Sequence, residues 1–206
     1  WSFHHALLDG WCINLVVKEV LDFYEAYSND RQLELQQPRP YRDYIAWLGQ
    51  RDLLQAEAFW RDALKGFVRS TTLAPAQETS VSHDSEHRFE HQEQEFSDSD
   101  GDALLEFAKR HKLTVSTVFQ GTWALLMSQR CRKPDIVYGS VVSGQSADID
   151  GMSTMVGLFM NTLPMRASVD PEAELLTWLR DFQSHHARLR EYEYTPLVDI
   201  QRWSAV

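Results

Sequence analysis

Apolar residues in the first part of the chain recur at intervals of three or four positions, which is the spacing of one face of an α-helix. The first such run comprises Ile13, Val16, Val17, Val20, Leu21 and Tyr24. It predicts a helix that begins close to Gly10. Pro38 and Pro40 interrupt the pattern, and two further helices are predicted beyond them, over about residues 41–47 and 53–64.

The second half of the chain carries three more helical patterns. Ser97 and Thr114 are residue types that cap helices, and each precedes an apolar run with helical spacing. Pro171 fits the first turn of a long final helix that extends to Leu189. The helix after Thr114 is predicted to bury a side composed of Val115, Val118, Phe119, Thr122, Trp123 and Leu126.

Short β-rich runs alternate with these helices. Residues 136–142 and 163–169 are predicted strands, and a loop is expected from Ser143 to about Met152. Residues 67–94 are polar and predict a linker, with a possible edge strand over residues 88–96. Alternating helices and strands predict an α/β fold.

Composition and charge narrow the classes of function. The 206 residues, 43% of them hydrophobic, suffice for one sizeable core or two modest lobes. A net charge of −10 argues against nucleic-acid binding, which needs a basic surface. No apolar run has the length of a membrane span, and the widely spaced Cys12 and Cys131 favour a reducing, cytoplasmic setting.

The most informative motif is His4-His5-Ala6-Leu7-Leu8-Asp9-Gly10, an HHxxxDG pattern. A histidine titrates nearest to neutral pH, so it is suited to accept a proton from an amine nucleophile or to hydrogen-bond to that amine. A nearby buried aspartate would hold the loop. Glycine allows a tight turn and leaves its N–H unobstructed. A metal site would need a third group of ligands at recognisable spacing, which the sequence lacks.

Three later segments strengthen one interpretation of this motif. Residues 41–47 follow a YxDYxxW pattern, residues 135–144 end in Val-Ser-Gly, and residues 156–166 match VGxFxNTxPxR. With HHxxxDG, in this order, the chain resembles the condensation domains of nonribosomal peptide synthetases. These belong to the chloramphenicol-acetyltransferase-like superfamily, which has α/β lobes of two layers (α+β). The resemblance covers essentially the whole chain.

The resemblance implies a reaction and its partners. A condensation domain forms an amide bond between an acyl or peptidyl donor and an aminoacyl acceptor, both held as thioesters on upstream and downstream peptidyl carrier domains. The substrates ride on the carriers' phosphopantetheine arms, so the domain itself is expected to need no cofactor and no metal. An adenylation domain is expected next to it. Neither nucleic acid nor membrane is an expected partner.

The resemblance also assigns residues to roles. His5 is the expected catalytic residue, His4 and Asp9 are structural supports, and Gly10 supplies a possible oxyanion donor. Ser143, Gly144, Gln145 and Asn161 are expected near the substrate tunnel or between the lobes, although Asn161 could instead be a helix cap. Gly139 and Gly144 are expected to meet requirements of the backbone. Gln145 departs from the family's arginine, so Asp9 needs another partner or is held less tightly.

The resemblance predicts that the chain divides into three structural parts. Residues 1–66 are expected to end an N-terminal lobe, residues 67–96 to form the linker and edge strand, and residues 97–206 to form an incomplete C-terminal lobe. A motif this close to Trp1 suggests a portion of a longer polypeptide, and such a portion alone is expected to be inactive and prone to self-association.

Simpler interpretations remain for several residues. Trp47, Phe59, Trp60, Trp123 and Phe159 are expected to be core residues, and His185 and His186 to be surface imidazoles. The spaced histidines His83, His87 and His91 are a weak metal candidate.

Two alternative functions stay open. Within the family, an epimerisation domain shares HHxxxDG, although Gly10-Trp11-Cys12 favours condensation. Outside catalysis, the chain could be a docking or recruitment module or an inert fragment.

Overall fold

The structure is a computed structural model that describes residues 1–67, 71, 91–144 and 148–204. The described part contains α-helices, two strands and a short 3-10 helix (Met152–Thr154). In chain order, the helices and strands are α1 (Gly10–Ser28), α2 (Arg42–Leu48), α3 (Leu53–Ala63), α4 (Asp98–His111), α5 (Val115–Cys131), β1 (Asp135–Val142), β2 (Asn161–Ser168), α6 (Leu175–Arg190) and α7 (Leu197–Trp203).

Side-chain caps define where four of the helices begin. Asp9 caps α1, Asp52 caps α3, Ser97 caps α4 and Thr114 caps α5, each by accepting a hydrogen bond from a first-turn amide. These bonds satisfy backbone donors that have no partner inside the helix. The predicted helices after Gly10, Ser97 and Thr114 are therefore confirmed, and α7 was not predicted.

The predicted buried side of α5 is wrong. Phe119 and Trp123 are 49% and 44% exposed, whereas the buried residues are Thr117, Gly121, Ala124 and Met127. The reason is close packing against α6. A Cβ atom on Gly121 would lie 2.6 Å from Cδ2 of Leu179, so small residues face this helix and the large apolar ones face away.

The two strands form an antiparallel pair. The Val169 N–H donates to the Pro134 carbonyl at 2.6 Å, and Gly139 lies against Thr162 further along. Beside the first of these contacts, the Arg166 guanidinium binds both carboxylate oxygens of Asp135 at 2.9 and 2.8 Å. Both predicted strands are confirmed, the second beginning two residues earlier than predicted.

Two further predictions about secondary structure fail or fall partly outside the described residues. Residues 91–96 of the predicted edge strand have no regular structure, and residues 88–90 lie outside the described residues. Pro171 precedes the final long helix instead of opening it, because α6 begins at Leu175. There the Glu174 carboxylate accepts from the Thr177 amide and hydroxyl and so caps the first turn.

Chain contacts divide the protein into two compact units. Among the described residues, the first comprises Trp1–Lys65, Gly139–Pro164 and residues 190–204, and the second comprises Gly66–Tyr138 and Met165–Leu189. The predicted boundaries at residues 66 and 96 concern lobes of the family fold and stay a prediction. Among the described helices, none combines the length and the apolar character that crossing a membrane requires.

Each unit has its own apolar core. The first core is built from Leu8, Cys12, Tyr44, Met152, Met155 and Phe159. The second is built from Ala124, Met127, Ile136, Ala167 and Phe182. Trp60 and Phe159 are fully buried, as predicted. Trp47 and Phe59 are half-buried, with Phe59 stacked on Tyr192 at 4.1 Å, whereas Trp123 is not a core residue.

The prediction that His185 and His186 are surface imidazoles is wrong for His186. Its ring centroid lies 3.8 Å from that of Phe182, and its Nε2 is buried without a hydrogen-bond partner in the described residues. Burial, and then the neighbouring His185, lowers the pKa of His186 to about 4. His186 is therefore neutral in the folded protein at pH 7.

We expect His186 to destabilise the fold as the pH falls. Between its ordinary pKa of 6.5 and about 4, the unfolded chain binds a proton at His186 that the folded chain does not. The free energy of unfolding should therefore decrease from pH 6.5 downwards. Urea unfolding at several pH values should show a shallower decrease in His186→Gln than in the unmodified protein. The exposed His91→Gln is the control, and equal slopes for all three proteins would contradict the expectation.

Candidate active site

Asp9 is a buried, fully hydrogen-bonded residue of the first unit. Its side chain is 1% exposed, and both carboxylate oxygens accept backbone hydrogen bonds. Oδ1 accepts from the amides of Trp11 (3.1 Å) and Cys12 (3.4 Å) in the first turn of α1. Oδ2 accepts from the amides of Phe159 (3.0 Å) and Met160 (3.3 Å), about 150 residues later. A carboxylate offers about four acceptor positions, so this arrangement occupies all of them.

This arrangement explains how Asp9 is held, since no cationic side chain pairs with it among the described residues. A buried carboxylate is costly unless hydrogen bonds compensate it, and bonds from backbone amides to a charged acceptor are strong. The motif is therefore held by backbone amides of two segments, the first turn of α1 and residues 159–160. Gln145, which stands where the family has arginine, lies outside the described residues.

Cys12 ties the same two segments together one turn further along α1. It is fully buried, its thiol donates to the Gly157 carbonyl at 3.1 Å, and its Sγ accepts from the Gly157 amide at 3.3 Å. Burial raises the pKa of this thiol, so it stays protonated and remains a donor. In the sequence, Cys12 served as an indicator of the redox setting and as part of Gly10-Trp11-Cys12, and it did not predict this contact.

Tyr41 of the YxDYxxW segment packs against Gly157 of the VGxFxNTxPxR segment. The Tyr41 hydroxyl donates to the Leu158 carbonyl, and burial raises the pKa of that hydroxyl, which keeps the donor protonated. The ring lies so close to Gly157 that a Cβ there would overlap Cδ2 of Tyr41. Only glycine fits at position 157. The contact places the chain just before Phe159 and Met160, whose amides hold Asp9.

Gly144 shapes the loop that leaves β1. Its φ of +67° is left-handed, and a Cβ would overlap the Phe159 carbonyl oxygen. The predicted backbone requirement at this glycine is confirmed. Gly139 has no left-handed φ, and its Cβ would lie 3.3 Å from Cγ2 of Thr162, a tight contact within the strand pair.

Asn161 is the first residue of β2, so its interpretation as a helix cap is wrong. Its side-chain amide donates to the carbonyls of Glu193 (2.8 Å) and Thr195 (2.7 Å). Its Oδ1 accepts from the Thr162 amide at 2.8 Å. Asn161 therefore fixes the segment before α7 to the start of β2, directly beside Met160.

A cavity of about 280 Å³ opens at the N-terminus of α1. It is lined by Asp9, Gly10, Trp11, Val141, Val142, Ser143 and Met160. Of the predicted site residues, the structure thus brings Asp9, Gly10 and Ser143 together. Asn161 follows the cavity residue Met160 in the chain.

Gly10 is a glycine that the backbone does not require. It has no left-handed φ, so the expected tight turn is not the reason for it. A Cβ built on it would meet nothing within 4 Å, which leaves the mouth of the cavity open. Within the described residues, its N–H has no acceptor. The expected unobstructed N–H is therefore present.

The two motif histidines precede Asp9 and Gly10 in the chain, and both are exposed; a turn at residues 5–7 begins directly after His4. Nδ1 of His4 accepts from the Ala6 amide at 3.0 Å, and the His4 carbonyl accepts from the Leu7 amide at 2.9 Å. His4 therefore shapes the turn that presents His5. Among the described residues, the exposed His5 side chain has no hydrogen-bond partner, so it is accessible from outside.

No group of three or more His, Cys, Asp or Glu side chains in the described residues could hold a metal ion. Of the three spaced histidines, His83 and His87 lie outside the described residues. His91 is exposed and its Nε2 contacts Glu93 at 2.9 Å.

The sequence matches the family model described as "Condensation domain" over residues 1–206. The chain belongs to the condensation domain family. It is 44% identical over 206 residues to a linear gramicidin synthase protein of Brevibacillus parabrevis, and 37% identical over 206 residues to a plipastatin synthase protein of Bacillus subtilis. The alignments cover 100% of this chain but only 4% and 6% of those relatives.

Solved structures show the same fold. The first condensation domain of the CDA synthetase aligns with a TM-score of 0.77 at 15% identity, covering 97% of this chain and 44% of that one. SgcC5 from Streptomyces globisporus aligns with a TM-score of 0.71 at 18% identity, covering 97% of this chain and 45% of that one. The predicted α/β fold of the chloramphenicol-acetyltransferase-like class is confirmed.

Three of the four condensation-domain signatures meet in the first unit. HHxxxDG leads into α1, YxDYxxW lies on α2, and the VGxFxN part of the last signature supplies the amides of Phe159 and Met160. Contacts of Asp9, Cys12 and Tyr41 join them. The signatures therefore mark one structural assembly around Asp9.

Replacing Asp9 should cost more stability than replacing an ordinary helix cap. Loss of a cap costs about 0.5–2 kcal/mol, and each buried amide left without a partner costs about 1–3 kcal/mol. We expect Asp9→Ala to lower the free energy of unfolding by about 3 kcal/mol or more. The control is Asp52→Ala, because Asp52 caps α3 through two first-turn amides only and should cost about 1 kcal/mol. Equal losses, measured by urea unfolding, would contradict the role of the Phe159 and Met160 amides.

Proposed function

We propose that this chain is the motif-bearing part of a condensation domain that forms an amide bond between two carrier-bound thioesters. The donor is an acyl or peptidyl group, the acceptor is an aminoacyl group, and peptidyl carrier domains deliver both on phosphopantetheine. The observation that carries the proposal is the family match over all residues, together with an HHxxxDG motif fixed by Asp9. An adjacent adenylation domain and a reducing, cytoplasmic setting, which the two widely spaced cysteines Cys12 and Cys131 fit, belong to the same proposal.

His5 is the proposed catalytic residue. The acceptor amine attacks the donor thioester carbonyl, a C–N bond forms, and the C–S bond breaks to release the carrier thiol. The amine loses a proton and the thiol gains one. The His5 imidazole accepts the proton of the amine or hydrogen-bonds to it during attack. An α-amino group titrates close to neutral pH, so orientation alone could supply much of the rate.

The other motif residues hold and complete this arrangement. Asp9 takes no proton in the proposal, because its acceptor positions are used by backbone amides. His4 shapes the turn before His5. The Gly10 N–H, free in the described residues, is the proposed donor to the oxyanion that forms on the thioester carbonyl.

Ser143, Gly144, Gln145 and Asn161 are the proposed tunnel or inter-lobe residues. Ser143 lines the cavity, and Asn161 supports the strand that begins next to it. Gly144 allows the close approach of the loop to Phe159.

The proposed activity belongs to a complete condensation domain. The chain spans 44–46% of the solved condensation-domain chains in the first CDA synthetase structures. We therefore expect the isolated 206-residue chain to be inactive and prone to association. Orientation of two tethered substrates is lost when only part of a tunnel is present.

His5→Ala in the complete domain should lower the rate of amide formation by about 100- to 10,000-fold. Single-turnover assays with two loaded carrier proteins measure the chemical step, and carrier binding and thermal unfolding should remain unchanged. His91→Ala, an exposed histidine paired with Glu93, is the matched control and should retain the rate. A near-normal rate in His5→Ala would remove His5 from the mechanism.

The same assay separates the alternative functions. Inversion of an aminoacyl α-carbon without amide formation would indicate an epimerisation domain. Neither reaction in a domain that still binds both carriers would indicate a non-catalytic docking module.

Gly10→Ala should lower the rate without destabilising the fold. The new methyl group enters open space at the mouth of the cavity, where a displaced thioester loses its alignment with the reacting groups. We expect a decrease of about tenfold or more. The control is Gly101→Ala in α4, where a Cβ also meets nothing within 4 Å. An unchanged rate in Gly10→Ala would show that the thioester does not pass this point.

A further inference from the structure

The cavity beside Gly10 differs in character from the motif that borders it. Four of its lining residues are apolar: Trp11, Val141, Val142 and Met160. They come from α1, β1 and the residue just before β2, and all belong to the first unit. Ser143 and Asp9 are the polar side chains of the lining.

Asp9 does not make this cavity a cation site. Its two oxygens already accept from the amides of Trp11, Cys12, Phe159 and Met160. A ligand ammonium group would have to displace one of these buried amides, which would then lack a partner. A charged ligand group therefore finds no partner in Asp9, whereas an apolar group finds four apolar side chains.

The size of the cavity sets the size of the group. Its volume of about 280 Å³ is close to the lower end of ordinary ligand pockets, which begin at about 300 Å³. A water molecule occupies about 30 Å³ of liquid, so the cavity has room for roughly nine groups of that size. This is enough for a branched aliphatic or a phenyl side chain.

We propose that this cavity receives the apolar α-side chain of one aminoacyl substrate, of leucine or phenylalanine size, with Val141 and Met160 as specificity-determining residues. The inference rests on the proposed condensation function and adds the class of substrate. Its position supports it, since Gly10 opens the same cavity and the proposed oxyanion donor is the Gly10 N–H. A group in the cavity would hang from a carbon atom close to the reacting carbonyl or amine.

Val141→Phe tests the proposal by filling the cavity. Val141 is 60% exposed and lies in a strand, where phenylalanine is well tolerated, so the fold should accept the change. In single-turnover assays of the complete domain, one carrier presents glycyl, leucyl or phenylalanyl groups while the other stays constant. The two carriers are then exchanged, which distinguishes the donor from the acceptor.

We expect Val141→Phe to lower the ratio of the leucyl to the glycyl rate about tenfold or more for one carrier, since a single methylene in an apolar pocket changes discrimination about 10- to 200-fold. Val141→Ala enlarges the cavity, so for the same carrier it should raise the phenylalanyl rate relative to the leucyl rate. Val198→Phe on α7, 63% exposed in the unmodified protein, is the matched control and should keep all ratios. Unchanged ratios for both carriers in both Val141 variants would overturn the proposal while leaving the condensation function intact.

Failure of the proposed function gives a different result. If the unmodified domain joins no pair of substrates, the cavity is tested by binding of leucyl and glycyl thioethers of pantetheine. Preferential loss of leucyl binding in Val141→Phe supports the cavity assignment, and equal binding of both by both proteins overturns it.

Discussion

The buried carboxylate of Asp9 is the constraint on which the site depends. It begins α1 through two amides and holds the Phe159–Met160 segment through two more. Residues about 150 positions apart are therefore fixed to one side chain. Each neighbouring contact serves the same junction: Cys12 binds the backbone at Gly157, and Tyr41 binds the carbonyl at Leu158. The backbone amides that bind Asp9, together with these neighbouring contacts, hold the two segments to each other.

The sequence predicts elements well where local chemistry determines them. Asp9, Ser97 and Thr114 mark helix starts because a cap and the following periodicity lie within a few residues of each other. It predicts the burial of a helix face poorly when both sides carry apolar residues. On α5, Phe119 and Trp123 suggested the core, but Gly121 and Ala124 pack against the neighbouring helix. Close approach of two helices selects for small side chains, which hydrophobic periodicity does not detect.

The site, too, has features that the sequence predicts and features that it does not. HHxxxDG and the later signatures identify the residues, and the structure shows why they occur together. The partners of Asp9 could not be predicted, because backbone amides carry no signal in the sequence. The missing arginine at position 145 therefore left two alternatives open, another partner for Asp9 or a motif held less tightly, and the described amides are such partners. His186 is a second case. Its polar residue type predicted an exposed position on the helix, but its ring packs against Phe182.

In the proposed mechanism, Asp9 supports the structure and other groups carry out the reaction, because backbone amides occupy all the acceptor positions of its carboxylate. A side chain that must keep four buried amides satisfied cannot exchange protons with a substrate without destabilising the junction. The groups left for chemistry are those without such duties: the exposed His5 imidazole and the Gly10 N–H. The cavity next to Gly10 is lined mostly by apolar side chains. In the proposed mechanism the His5 imidazole and the Gly10 N–H act from a support that backbone hydrogen bonds hold, and a substrate side chain in the cavity would help to align the reacting atoms.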